Sequence, residues 1–422
     1  MKFQTHTLKN GLKVLLSPSS GEGSVTIMAM TGTGSRYESE KENGISHFLE
    51  HMVFKGSKNY PNMKSIAEEL DGVGGMFNAF TGKDHTAYYS KVDKRHFETA
   101  FNVVSDIFLN PKFPAAEIKR EKGTIIEEIN MYKDIPVRNV LDDADETIFG
   151  KDNPLGRTII GSKKNILAFT RKDFVTYFEK NYVAGNSAIC ITGSFSEKKA
   201  LSMAKKTFAN MRVGDVPRHE EYVHEQNSPR INLHYKKTDQ THMVVCLPSY
   251  ELNNKKEVIA EVLSTILGGG MSSRLFAQVR ERRGLAYYVR ADQDSYTDIG
   301  SLCIRAGVSN TAVNEALKVI LNEVSSMKKG VSAKELKKAK EYIKGTTALS
   351  LDTTDAQAAH IGYTTLVRKS TKDLSVFNKA IDKVTAKQVK DLAKELLVTN
   401  KLNLTIIGPH KDEKKFLKLL KV

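Results

Sequence analysis

In the stretch GISHFLEHMVFKG, Gly44 to Gly56, residues His47, Glu50 and His51 fall within five positions of one another. On an α-helix, residues four apart are surface neighbours, so His47 and His51 can both reach one ion, and Glu50 lies on the same side. Two neutral imidazoles and a carboxylate can make a three-ligand zinc site with a position left for water. The metal would lower the pKa of that water, and a carboxylate beside it could take the proton. The same stretch carries Ile45, Phe48, Leu49 and Met52 at i, i+3, i+4 and i+7, an apolar stripe that faces a core. Gly44 and Gly56 bracket the helix as breaker and C-cap. Two readings are open here: a metal site with its own base, or a polar helix face that holds histidines. A third ligand has to decide.

The candidates lie in AEIKREKGTIIEEINMYKD. At 100° per residue its apolar face runs through Ile118, Ile125, Ile129 and Tyr132. Glu121 and Glu128, seven residues apart, sit at the edge of that face, while Glu127 points almost opposite. Periodicity therefore favours Glu128 as the inward carboxylate, with Glu121 earlier on the same side. Taken alone, this helix would read better as a charged flank.

These residues need elements to position them. Alternating strand and helix signals run along the chain in two passes of similar length and order. The first opens with QTHTLKNGLKVLLSP and SVTIMAMTGTG, then the motif helix, a helix at MKSIAEELDGVGG and a strand pair at GMFNAFTGKDHTAYYSKV. Helical stretches at 94–108 and 115–132 follow, then the strand SAICITGS and one more helix. The second pass runs INLHYKKT, THMVVCLPS, a helix at 254–267, strands in GLAYYVRADQDSYTDIGSLCIRAGV, helices at 310–328 and 332–349, and the strand KLNLTIIGP. This order predicts an α+β chain of two homologous domains, each a mainly antiparallel sheet packed with helices. The boundaries expected are an N-terminal domain at 1–212, a proline-bearing polar linker at 213–229 and a C-terminal domain at 230–422.

Composition excludes several classes. Of the 422 residues, 40% are apolar, enough for ordinary cores, and no uncharged apolar run is long enough to span a membrane. MKFQTHTLKNGLKVLL lacks a signal-peptide h-region, so the cytoplasm is expected. Cys190, Cys246 and Cys303 each sit in apolar strand-like runs, too few and scattered for a disulfide framework, and read as buried reduced thiols. The charge of +15 falls largely on helical stretches with interleaved acids, such as SAKELKKAKEYIK, and reads as solvated helix faces. No nucleic-acid-binding module is present, so nucleic acid is an unlikely partner. GGGMSSRL lacks the G-K-[ST] ending of a phosphate loop and reads as helix–loop punctuation. His242, without partner ligands, reads as structural. Glu38, Glu40 and Glu42 precede the motif and could give a cleft local negative potential, but they read more readily as a solvated loop.

H-x-x-E-H is the inverted zincin signature, and the chain resembles the pitrilysin/insulinase family of zinc peptidases over nearly its whole length. In that family a glutamate ligand follows after 76 residues. Here residues 52 to 127 separate His51 from Glu128, 76 in all. The resemblance implies zinc held by His47, His51 and Glu128, with Glu50 as general base and Glu121 as a supporting acid. FNAFTGKDHTAYY is similar to the family's edge strand, which implies that Asn78, Ala79 and Phe80 hold substrate backbone as an added strand. Asp84 is a mild departure there, and Ala184 stands where a proline is usual. LGGGMSSRLFAQVRERRGLAYYV is similar to the C-terminal domain signature, in which the pair here at Arg280 and Tyr287 contacts bound peptide near the scissile carbonyl. The second half has no H-x-x-E-H, so one Zn2+ per chain is implied. The two-domain length is similar to the subgroup of mitochondrial processing peptidase. It implies a metalloendopeptidase acting on peptides or unfolded polypeptide, as a homodimer or a heterodimer with a silent paralogue. The alternative is a non-catalytic scaffold or partner subunit of the same fold.

Overall fold

The computed structural model describes residues 2–21, 23–371 and 373–422. They form two compact units. The first comprises Met1–Asn130, Thr158–Glu220 and Ala348–Ser375; the second comprises Met131–Arg157, Glu221–Thr347 and Val376–Val422.

The sheet of the first unit uses β1 (Gln4–Thr7), β2 (Lys13–Pro18), β3 (Ser24–Thr31), β4 (Met76–Thr81), β5 (Thr86–Asp93) and β6 (Ser187–Gly193), in the order β1-β2-β6-β3-β5-β4. That of the second uses β7 (Arg230–Tyr235), β8 (Gln240–Ser249), β9 (Ala286–Ser295), β10 (Gly300–Ser309) and β11 (Asn403–Gly408), in the order β7-β11-β8-β10-β9. Pairing is antiparallel except for β2 with β6 and β7 with β11. Leaving β1 aside, the two orders superpose strand for strand. In each, the last strand of the unit inserts beside the first long one. This is the α+β duplication that the order of elements predicts.

Each sheet is covered on both faces, which explains why its central strands read as continuous apolar runs. In the first unit, Met28, Met30, Cys190 and Leu15 meet Ala358 and Ile361 of the helix Thr354–Leu366. The alternate residues Ile27, Ala29, Ile189 and Ile191 are also buried and face the other way. In the second unit, Met243, Val245 and Leu247 join one core. Val244 and Cys246 face Val140, Ala144 and Ile148 of the helix Pro136–Phe149.

Those two covering helices come from unexpected parts of the chain. Pro136–Phe149 precedes the linker yet belongs to the second unit, and Thr354–Leu366 follows it yet belongs to the first. The boundaries at 1–212, 213–229 and 230–422 follow the chain in line, whereas the compact units exchange these segments. The first has an apolar stripe through Val137, Val140, Leu141, Ala144 and Ile148 that does not say which sheet it covers, and the second carries no clean stripe at all. In the second, small residues let the helix lie close to the sheet, and a Cβ at Gly362 would stand 2.9 Å from the Met30 side chain. Thr354 is stitched into the sheet, its Oγ1 2.8 Å from Thr26 Oγ1 and its carbonyl accepting from Thr192 Oγ1 at 2.6 Å.

The cysteines depart from expectation. Cys246 and Cys303 are joined as a disulfide, and Cys190 remains a buried thiol. The 57-residue separation hides that β8 and β10 are antiparallel neighbours with these two residues directly opposite. Their Cα atoms stand 4.2 Å apart, as in a non-hydrogen-bonded cross-strand pair. No helix of the described residues is long and apolar enough to cross a membrane.

Truncating Ile361, fully buried beneath the first sheet, should cost about 2–4 kcal/mol. Ile361→Ala should also speed hydrogen exchange of the β3 and β6 amides. Unchanged exchange in those strands would mean that the helix Thr354–Leu366 does not seal this sheet.

Candidate metal centre

The motif forms the helix Ile45–Val53, with Ile45, Phe48, Leu49 and Met52 fully buried. Burying that stripe turns His47, Glu50 and His51 to the other side, where each is half-buried. Gly44 begins the helix at φ 102°, a left-handed conformation that favours glycine.

The second helix, Ala115–Asp134, buries Ile118, Glu121, Ile125 and Ile129 and leaves Glu127 exposed. Glu128 is brought to the histidines: its Oε1 is 3.7 Å from His47 Nε2 and its Oε2 is 3.7 Å from His51 Nε2. Among the described residues these three form the one His/Cys/Asp/Glu group able to hold a metal ion, with one ligand atom from each within 4.8 Å of the others. Tetrahedral zinc with bonds of about 2.1 Å needs ligand atoms about 3.4 Å apart. Each imidazole's distance to a Glu128 oxygen, 3.7 Å, is within a few tenths of an ångström of that spacing.

The protonation chemistry also fits. Glu121 Oε1 lies 3.0 Å from His51 Nδ1. An N–H at Nδ1 donates to that carboxylate and leaves the Nε2 lone pair for a metal. Lys55 Nζ braces the other oxygen of Glu121 at 2.6 Å. Burial, helped by the neighbouring His51, holds His47 down to about 3, so it stays neutral. Burial alone would lower His51 too, but the Glu121 hydrogen bond and the carboxylates of Glu50 and Glu128 raise it. Glu121 is likewise opposed by its burial, yet His51 and Lys55 hold it below the usual carboxylate range.

Glu50 stands apart from the three, accepting a hydrogen bond from Thr81 Oγ1 at 2.5 Å. Burial raises its pKa; Thr81 and His51 oppose that, and Glu128 adds to it. A carboxylate beside a metal site, with a raised pKa and an orienting hydroxyl, has the properties of a general base. Thr81 is the last residue of β4, the outermost strand of its sheet. Asn78, Ala79 and Phe80 lie on that same strand, paired only to β5 within the sheet. Sequence reasoning did not single out Thr81 or Lys55. The signals were there: Thr81 shares the strand face of Ala79 by alternation, and Lys55 lies one turn beyond His51.

Arg280 and Tyr287 lie in the second unit. Arg280 is in the π-helical turn Phe276–Glu281, its guanidinium 5.0 Å from the Phe276 ring centroid and 5.6 Å from that of Tyr287. Tyr287, on β9, is 73% exposed. His242 hydrogen-bonds Tyr288 Oη at 3.0 Å, a structural partnership. Glu38 departs from its reading as solvated loop: it is buried, with its carboxylate against the start of the motif helix. Glu40 is exposed and Glu42 only half-buried.

The family model described as Insulinase (Peptidase family M16) matches residues 13–163, and that described as Peptidase M16 inactive domain matches 168–343. The chain belongs to the insulinase family, M16. Among its relatives, the uncharacterized zinc protease YmxG of Bacillus subtilis is 33% identical over 96% of this chain and 98% of its own. One from Rickettsia felis, also named an uncharacterized zinc protease, is 34% identical over 85% of this chain and 86% of its own. The crystal structure of a protease from Helicobacter pylori has a TM-score of 0.89 at 22% identity, covering 97% of this chain and 99% of that one. A Pseudomonas fluorescens structure titled peptidase M16 inactive domain gives 0.89 at 21%, covering 97% and 98%. Both structures share the fold of the present chain.

Two measurements check this electrostatic picture. Glu121→Gln should weaken zinc binding about 10–100-fold, the usual effect of losing an outer partner of a ligand. Zinc affinity equal to wild type, read against a competing chelator, would remove Glu121 from the site. His85, whose ring packs on Phe80 at 5.6 Å, is held down to about 4 by burial. The unfolded chain binds that proton near pH 6.5, so the contribution of His85 to stability should be full above that value. The part contributed by His85 should fall by up to about 3 kcal/mol as pH drops toward 4 and then level off. Denaturant melts of His85→Phe should show a correspondingly smaller loss, and an identical loss would assign it to other groups.

Proposed function

We propose that the chain is a zinc-dependent metalloendopeptidase acting on short peptides or extended, unfolded segments. The carrying observation is the convergence of His47, His51 and Glu128, from two helices, with Glu50 held beside them by Thr81. Relatives named zinc proteases support the metal and the activity class.

In this reading His47 and His51, through Nε2, and Glu128 would hold one Zn2+. Bound zinc would supply a Lewis acid and lower the pKa of a nearby water. Glu50 takes a proton from the attacking water and returns it to the leaving amine nitrogen. Its raised pKa suits both halves of that task, since it must accept the proton and then release it. Glu121 holds His51 in the tautomer that presents Nε2. Asn78, Ala79 and Phe80 offer the backbone of an edge strand, to which an extended peptide adds by main-chain hydrogen bonds. Such capture selects for unfolded segments, because a folded substrate has no unpaired strand to give. Arg280 and Tyr287 are proposed as substrate-contacting residues, whose donors suit a developing oxyanion. We propose the cytoplasm as the compartment and a dimer as the working form, of identical chains or with a silent paralogue.

Metal content and turnover of a quenched fluorescent peptide, for wild type and Glu50→Gln, test the assignment. Both proteins should carry one zinc per chain. Only wild type should turn over, with the variant slower by at least about 100-fold and wild type silenced by chelator. A Glu50→Gln chain that cleaves at the wild-type rate would overturn the role of Glu50. Zinc without turnover in either would favour the scaffold reading.

A further inference from the structure

The helix that carries His47, Glu50 and His51 has nine residues, and His47 is the third of them. The direction of its imidazole therefore depends on the first turn, the part of a helix held least well by its own hydrogen bonds. A side-chain cap normally secures that turn. Here the N-cap is Gly44, with no side chain to offer. It cannot easily be otherwise: φ is 102°, and a Cβ would stand 2.8 Å from the Ile160 carbonyl oxygen and 2.9 Å from Gly161 Cα.

The cap comes instead from six residues upstream. Glu38 Oε2 accepts the Gly44 N–H at 2.9 Å and Asn43 Nδ2 at 3.1 Å, and Oε1 accepts the Ser46 N–H at 2.8 Å. Glu38 is 2% exposed. Burying a carboxylate is expensive unless its oxygens are satisfied, and the positive end of a helix dipole favours an anion there. Both oxygens are used by backbone donors, a task a carboxylate can perform and an amide cannot.

The residues around Glu38 extend this hold to the substrate strand. The N–H groups of Ser35 and Arg36 donate to the carbonyls of Gly82 and Lys83 at 3.1 and 2.9 Å. The Arg36 guanidinium lies 3.8 Å from the buried Asp84 carboxylate. A Cβ at Gly34 would fall 2.2 Å from the Gly82 carbonyl oxygen, so the two segments touch at backbone distance. Residues 34–38 thus grip the β4–β5 turn at one end and the motif helix at the other. Thr81, which orients Glu50, immediately precedes that turn.

We propose that Glu38 is a positioning residue of the metal centre: its buried carboxylate fixes the first turn of the motif helix, and with it the direction in which His47 meets a metal ion. The inference rests on the metal-site reading above. A cap that served stability alone would lower the melting temperature of the metal-free chain and leave the zinc affinity of the folded chain unchanged. A positioning residue alters the affinity and the ligand field.

The test uses the full chain, stripped of metal. Zinc affinity is read in competition with a chromophoric chelator, and site geometry from the visible absorption of bound Co2+. Glu38→Gln turns an NH2 group toward a backbone N–H and should weaken zinc at least about tenfold, the scale of an outer partner's loss, with shifted Co2+ bands. Glu38→Asp keeps both acceptor oxygens and should fall between the two. Wild-type affinity and an unchanged Co2+ spectrum in Glu38→Gln would overturn the proposal. If that variant does not fold, Glu38→Asp decides: weaker zinc with shifted bands sustains it, and wild-type values overturn it. A wild-type chain that takes up neither metal would remove the metal-site reading itself, a result distinct from failure of the Glu38 variants.

Discussion

Everything at the site depends on one nine-residue helix having two faces. Ile45, Phe48, Leu49 and Met52 bury completely, and their burial fixes the rotation of the helix about its own axis. His47, Glu50 and His51 have no freedom left to face elsewhere. The second helix obeys the same rule with Ile118, Ile125 and Ile129, which makes Glu128 rather than Glu127 the carboxylate that arrives. The site is assembled by hydrophobic burial, and the polar groups take the directions that burial leaves them.

That assembly concentrates like charges. Glu50, Glu121 and Glu128 surround two imidazoles, one of which burial keeps neutral. Lys55 compensates Glu121 directly. Burial raises the cost of ionising Glu50, and the neighbouring Glu128 adds to it. A carboxylate cluster of this kind is stabilised by a cation placed among the lone pairs. A divalent ion between Glu128 and the two Nε2 atoms meets that need. The donor set of two imidazoles and one carboxylate is of the kind zinc accepts. The same arrangement separates the glutamates: the one braced by lysine hydrogen-bonds His51, and the one held by a hydroxyl has a raised pKa.

Much of this was legible in the sequence, for a definite reason. Helical periodicity is local, so the two-faced motif helix and the choice between Glu127 and Glu128 could be read from residues a few positions apart. The third ligand's partnership with the motif came from the spacing shared with a family, because nothing local links residues 51 and 128. What escaped was contact that only the fold creates. Cys246 and Cys303 look scattered until antiparallel register sets them opposite one another. The helix Thr354–Leu366 buries small and mixed residues and carries no strong stripe, and nothing local tells which sheet the helix Pro136–Phe149 covers. Glu38 looked like one acid in a run of three. Its neighbours Glu40 and Glu42 do meet solvent, but Glu38 alone sits where Gly44 leaves a helix without a cap.

The duplication sharpens the distinction between what the fold requires and what the chemistry requires. The two sheets share an order of five strands because the same pairing problem is solved twice. The helix after β3 carries the histidines. Its counterpart after β8, Glu257–Ser264, buries Ala260, Val262 and Leu263 and runs on through a π-helical turn to Gly269. It meets the core as well as its twin does, without one histidine. A sheet constrains the apolar positions of the helix that covers it and leaves the polar face unspecified. One copy could therefore hold a metal-binding face while the other held none, with no loss to either core. The description inactive domain for the model that matches residues 168–343 fits that division. Chemistry sits on the half of the helix surface that packing does not claim.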